Sequence, residues 1–190
     1  MKAPETIETA RLLLRKPVRG DAEAIFSRYA ADPAVTRYMS WPTHRSVADT
    51  QAFLAWSDAD WERWPAGSYL IYKKGAEGSL LGGTGLTFKT PTRVLTGYVL
   101  AQDAWGKGFA TEALEAMVEL AGQLGVERME AICHVQHLAS AHVMEKCGFQ
   151  RECVLWAHTV FPNIDPGIRS DVLSYARLLD TVMATHAPVP

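Results

Sequence analysis

The stretch that most limits what this chain can fold into runs from Gly97 to Ala116. Val94 to Leu100 is an apolar run with the composition of a strand. Ala101 to Gly106 follows as a short loop. Gly108-Phe109-Ala110-Thr111 then opens a run with helical spacing through Ala113, Ala116, Met117, Leu120, Ala121 and Leu124. A strand, a glycine-bearing loop and a helix aim unpaired backbone N–H groups at an anion. The first helical turn has no internal acceptor for them, and the macrodipole adds positive charge there. Gly106 and Gly108 let the main chain approach a ligand without a Cβ in the way, and Lys107 adds a full charge. Spacing alone leaves a phosphate site and a plain loop both open. It excludes two nucleotide motifs: position 111 is Thr where the dinucleotide fingerprint needs its third glycine, and Lys107 is followed by Gly108, not by the Ser or Thr of a P-loop.

The rest of the chain supplies alternating elements. Ala10 to Lys16 has strand character. Ala22 to Ala31 is an amphipathic helix broken by Asp32-Pro33, and Ser46 caps a second helix that stops before Pro65. Residues 35–42 are a loop or a short helical turn. Ser68 to Lys73, Leu80 to Lys89 and Val94 to Leu100 are strands separated by turn residues. The helix from Gly108 to about Leu124 ends at Gly125, and a strand from Arg128 to Val135 follows. Leu138 to Lys146 is helical, and Phe149 to Val160 and Asp171 to Leu178 are the last strands. The order β-α-α-β-β-β-α-β-α-β-β predicts an α/β (α+β) fold with a mixed, mostly antiparallel seven-stranded sheet. A right-handed crossover makes the fourth and fifth strands parallel. One domain, residues 8–180, is expected, with tails at 1–7 and 181–190.

Composition narrows the function. The chain has 190 residues, a net charge of -2, 48% hydrophobic and 21% charged residues. That balance lacks the basic excess of a nucleic-acid binder. No run approaches the roughly 20 apolar residues of a membrane span, and the N-terminus lacks the apolar core of a signal peptide. A cytoplasmic location is expected, with Cys133, Cys147 and Cys153 as buried free thiols. No metal-ligand spacing is present. Monomer and homodimer stay open.

Several segments together resemble one family. These are Gly97-Tyr98-Val99-Leu100, Trp105-Gly106-Lys107-Gly108-Phe109-Ala110-Thr111-Glu112-Ala113-Leu114, Ser140, and Glu145-Lys146-Cys147-Gly148-Phe149. In order and spacing they are similar to the GNAT superfamily of N-acetyltransferases. Glu8-Thr9-Ala10-Arg11-Leu12-Leu13-Leu14-Arg15 resembles its RimJ/RimL-like branch. The resemblance implies a twisted sheet with helices on both faces, splayed between its fourth and fifth strands. It also implies acetyl transfer from acetyl-CoA to a primary amine, either a protein N-terminus or a small molecule. A non-catalytic acyl-CoA-binding module on the same fold is the alternative. Implied cofactor contacts are Val99, Leu100 and Ala101 along the strand; Trp105, Gly106, Lys107, Gly108, Phe109, Ala110, Thr111 and Glu112 at the turn; and His137, Ser140 and Lys146 beyond. His137 stands where the family usually has Asn. The position where many members carry an acidic Tyr is Met144, which leaves Ser140 as the proton donor, with the Leu100 backbone N–H polarising the thioester.

No general base stands out. Glu130, Glu152, His134, His142 and His158 all compete on composition. The acceptor end is expected from residues 35–41 and 157–168, with Arg37, Tyr38, Trp41, Trp156, His158 and Phe161 as candidate contacts.

Overall fold

The computed structural model describes residues 2–75 and 78–179. Eight strands form one sheet, β1 (Thr6–Glu8), β2 (Leu12–Arg15), β3 (Ser68–Lys73), β4 (Leu80–Thr90), β5 (Arg93–Leu100), β6 (Arg128–His134), β7 (Gln150–Val160) and β8 (Arg169–Leu178). Their spatial order is β1-β2-β3-β4-β5-β6-β8-β7. The sheet thus has eight strands where seven were expected. The extra one is Thr6–Glu8, which pairs with β2 through Ile7↔Leu14. Residues 1–7 were expected as a tail, yet Ala3 is buried and its N–H bonds the Pro65 carbonyl. The expected tail at 181–190 lies outside the described residues.

Period-two alternation builds two cores. Along β3, Tyr69 and Ile71 join the larger cluster, while Leu70 joins the smaller one. The larger cluster packs under α4 (Phe109–Gln123) and α5 (Leu138–Lys146) through Leu114, Met117, Leu120 and Met144. The smaller cluster packs under α1 (Ala22–Ile25), α2 (Pro33–Thr36) and α3 (Val47–Arg63) through Ile25, Val35 and Leu54. Helices therefore cover both faces. α3 starts where Ser46 and Asp49 form a capping box, and α4 stops at Gly125 in the left-handed region (φ 76°). Cys133 and Cys147 are buried free thiols, whereas Cys153 is exposed on β7.

β5 and β6 run parallel and pair only at Arg93↔Arg128, Val94↔Met129 and Leu95↔Glu130. Beyond Leu95 the two strands part, each still held on its other side: β5 by β4 up to Gly82↔Leu100, and β6 by β8 up to His134↔Val172. The sheet is therefore a fork with two firm prongs. An ion-pair ladder ties its closed end. Arg93 and Arg128 both donate to Glu130 Oε1, at 2.5 and 2.8 Å, and Arg128 also reaches Glu152 at 2.6 Å.

Candidate active site

The turn into α4 lies at the tip of the β5 prong. Gly106 and Gly108 have φ of 70° and 76°, a conformation that L side chains rarely adopt. The first intrahelical bond of α4 runs from the Glu112 N–H to the Gly108 carbonyl. Among the described residues, the amides of Gly106 through Thr111 have no protein acceptor. Two bonds hold this loop from outside. The Trp105 indole, half exposed, donates to the Leu100 carbonyl at 2.7 Å. Arg11 Nη1 donates to the Lys107 carbonyl at 2.9 Å.

Glu112, expected at the cofactor, braces the loop. Its carboxylate accepts from Thr9 Oγ1, from the Arg11 N–H and from Arg11 Nε at 2.5, 2.7 and 2.6 Å. Those bonds hold its pKa below the ordinary carboxylate range against the opposing effect of burial. On the acetyl-CoA chemistry that the resemblance implies, Arg11→Ala is expected to raise KM for acetyl-CoA about threefold to tenfold with kcat nearly unchanged, because it loosens the loop without touching the reacting atoms. Steady-state kinetics at saturating acceptor checks this.

Between the prongs, Ser140 on α5 meets Tyr98 on β5. The Tyr98 hydroxyl donates to the Ser140 carbonyl at 2.9 Å and lies 3.0 Å from Ser140 Oγ. Burial pushes the Tyr98 phenol far up from its ordinary value, so it stays protonated and neutral. Met144 is fully buried in the core.

A cavity of about 540 Å³ passes from the gap to the opposite face of the sheet. Its lining includes Tyr98, Val99, Cys133, His137 and Ser140 from the prongs and α5, and Tyr38, Trp41, His44, Phe53, Trp56 and Phe161 from other segments, with Tyr38 adjoining His137. The two stretches expected to build the acceptor end are joined by one side chain. Asn163 Oδ1 accepts from Thr43 N–H and Oγ1 at 2.8 and 3.1 Å, and Asn163 Nδ2 donates to the carbonyls of Thr36 and Trp41 at 2.7 and 2.9 Å.

Comparison with known proteins fits this geometry. The family model described as acetyltransferase (GNAT) domain matches residues 11–150. The chain belongs to the GNAT acetyltransferase family. An uncharacterized N-acetyltransferase of Bacillus licheniformis, p20, is 29% identical over 153 residues, 80% of this chain and 85% of its own. A GNAT-family acetyltransferase structure from Bacillus anthracis matches with a TM-score of 0.78 and 26% identity, covering 91% of this chain and 98% of that one. RimL, a ribosomal L7/L12 α-N-protein acetyltransferase solved with coenzyme A, has the same fold at a TM-score of 0.82 and 22% identity, covering 93% and 99%. As a GNAT member the chain is an acetyl-CoA-dependent N-acetyltransferase.

Not every candidate for the GNAT chemistry reaches the cavity. Tyr38, Trp41, Phe161, His137 and Ser140 do. Arg37 is exposed, with its guanidinium 5.5 Å from the Tyr38 ring centre. Trp156 and His158 are not brought there. The register of β7 against β8 shifts between Leu155 and Thr159, and Ala157 sits at φ 43° with its N–H bonded to Asp171. That bulge leaves Trp156 79% exposed and His158 on the surface. Glu130 and Glu152 belong to the ion-pair ladder at the closed end of the fork, and His142 is exposed on α5. Lys146 is exposed in the last turn of α5. Among the described residues no helix is long and apolar enough to cross a membrane.

The histidines near the cavity form a stacked set. The His137 ring lies 4.5 Å from that of Tyr38 at an 18° interplanar angle. The buried His134 accepts from the Gln136 N–H through Nδ1 at 3.1 Å and meets Phe161 edge-on at 5.1 Å. His44, Phe53, Trp56, Tyr98 and Asn163 are cavity or wall residues that sequence reasoning missed. Burial first holds His44, His134 and His137 below the ordinary value of 6.5. The unfolded chain thus binds protons at these three positions before the folded one does. Their contribution is full above about pH 6.5 and is lost as pH falls through the folded values. Tm is expected to be flat from pH 8 to 7 and to fall by pH 5.5, with a shallower fall in His137→Asn, as thermal scans across that range will show.

Proposed function

We propose that the chain moves the acetyl group of acetyl-CoA directly to a primary amine, a protein N-terminus or a small-molecule amine, in a ternary complex. The observation that carries this reading is the fork itself: unpartnered amides at its tip, and a gap that opens into an aromatic cavity. The amides of Gly106 to Thr111, with Lys107, hold the diphosphate. The pantetheine arm lies along Val99, Leu100 and Ala101 as an added strand would. The Ala101 N–H bonds Leu81 on the β4 side at 2.8 Å, so strand alternation turns the Leu100 N–H toward the open edge. There it polarises the thioester carbonyl. The neutral amine attacks from the aromatic end. A C–N bond forms, the C–S bond breaks, and the proton shed by nitrogen ends on sulfur.

Ser140 donates a hydrogen bond to the departing thiolate and relays that proton, with Tyr98 behind it. Neither hydroxyl is acidic enough to protonate a thiolate of ordinary pKa (~8.5) unaided, so a relay fits better than a free acid. We assign to His137, which lines the cavity and is held below its ordinary pKa by burial, the role of taking the proton from nitrogen. RimL's α-amine acceptor is consistent with an amine here; its low identity transfers the fold alone.

The test is thiol release from acetyl-CoA across an amine panel, with the acetylated product weighed by mass spectrometry. Amine-dependent release matched by N-acetyl product supports the reading. Acetyl-CoA binding without release would contradict it. Ser140→Ala is expected to lower kcat on the order of 100-fold with little change in KM for acetyl-CoA.

A further inference from the structure

We propose that the acceptor is a primary amine whose neighbouring group is aromatic or apolar and carries no second positive charge. This rests on the acetyl-transfer reading above and narrows it. The cavity lining includes Tyr38, Trp41, His44, Phe53, Trp56 and Phe161, drawn from three separate segments. Trp41 and His44 sit 5.1 Å apart between ring centres, and Phe53 and Trp56 sit 6.1 Å apart. Trp56 is 50% exposed, an apolar surface that a ligand seated here covers. Among the described residues no Asp, Glu, Lys or Arg lines the cavity.

That absence decides between acceptor classes. The reacting nitrogen must be neutral, so its own charge asks nothing of the wall. A polyamine or an aminoglycoside brings further ammonium groups. Each loses water on entry and finds no carboxylate to replace it. Attraction of a cation to the aromatic rings offsets only part of that loss. The Tyr38 ring already has neighbours in His137, His134 and the Arg37 guanidinium. Outside the lining the charges are mixed: Arg37 lies by the Tyr38 ring, Asp165 and Asp171 act on His134, and Asp49 acts on His44. An aromatic or aliphatic group beside the amine meets none of these costs and gains by burial.

Thiol-release kinetics on the full chain test this with phenethylamine, ethylamine, phenylalanine amide, a hexapeptide beginning with Phe, spermidine and kanamycin. The expected kcat/KM is on the order of 10- to 100-fold higher for phenethylamine than for ethylamine. It is also expected to exceed that for spermidine and kanamycin. Turnover of the hexapeptide alone among the aromatic amines assigns the group to a protein N-terminus, and turnover of the free amines assigns it to a small molecule; both support the proposal. Trp56→Ala, at a half-exposed position, is expected to shrink the phenethylamine preference several-fold. Spermidine or kanamycin as the best acceptor would overturn the proposal and leave acetyl transfer intact. Acetyl-CoA binding with no release to any amine would overturn acetyl transfer and the proposal together.

Discussion

Gly82→Ala is expected to cut kcat/KM by about 100-fold and to lower Tm by roughly 5–10 °C. A Cβ at Gly82 would fall 1.9 Å from the Val99 carbonyl oxygen and 2.9 Å from Leu100 Cα. Both are backbone atoms, so no side chain can swing aside. The β5 prong itself must move, at the point where β4 is its sole pairing partner. Overpacking of this kind costs about 1–3 kcal/mol. The larger penalty falls on chemistry, because Val99 and Leu100 are the main-chain atoms proposed to seat the thioester, and a shift near 1 Å there removes a near-attack geometry. Gly122→Ala is the control. A Cβ there meets nothing within 4 Å, and Ala favours the α4 helix. Its Tm is expected to hold or rise and its activity to be unchanged. Equal losses in both variants would mean that the close approach at Gly82 is not what holds the prong.

Asn163→Leu is expected to raise KM for the acceptor at least tenfold while KM for acetyl-CoA stays within about twofold. It is also expected to lower stability by about 2–3 kcal/mol. All four hydrogen-bonding capacities of Asn163 face the segment that carries Tyr38 and Trp41. Removing them leaves the Thr43 N–H and the carbonyls of Thr36 and Trp41 without those partners, and it frees two walls of the cavity from each other. Asn163→Asp is nearly isosteric but sets a carboxylate oxygen against two carbonyls. It is expected to behave as badly as Leu, which separates the bonding pattern from side-chain size. The split between the two KM values, with chemical denaturation for stability, checks both variants. A matching rise in both KM values would count against a local role.

How much of this was legible in the residues varies with the range of the interaction that decides each feature. α5 runs from Leu138 to Lys146 as its local spacing requires, and Gly125 closes α4 as its position requires. The turn into α4 was legible because glycine conformation and missing helical acceptors are properties of neighbours in sequence. The insertion of β8 between β6 and β7 is a long-range pairing that no local pattern encodes. Thr6–Glu8 is too short to show alternation and is a strand because β2 offers it an edge. Trp156 and His158 were misplaced by a bulge that resets which face each residue takes. Glu130 and Glu152 competed as bases on composition because their ion pairs with Arg93 and Arg128 depend on strand neighbours far off in sequence. Tyr98 and Ser140 are 42 residues apart in sequence, and no local pattern announces that their hydroxyls meet. Asn163 carried no signal at all, since its role consists of bonds to residues more than 100 positions away.

Amide NMR of the protein during a titration with coenzyme A tests the central claim most directly. The N–H signals of Gly106, Gly108, Phe109, Ala110 and Thr111 are expected to move furthest downfield and to gain protection from solvent exchange, with Leu100 following once the acetylated form is used. Saturable binding that leaves those five amides unmoved would contradict it.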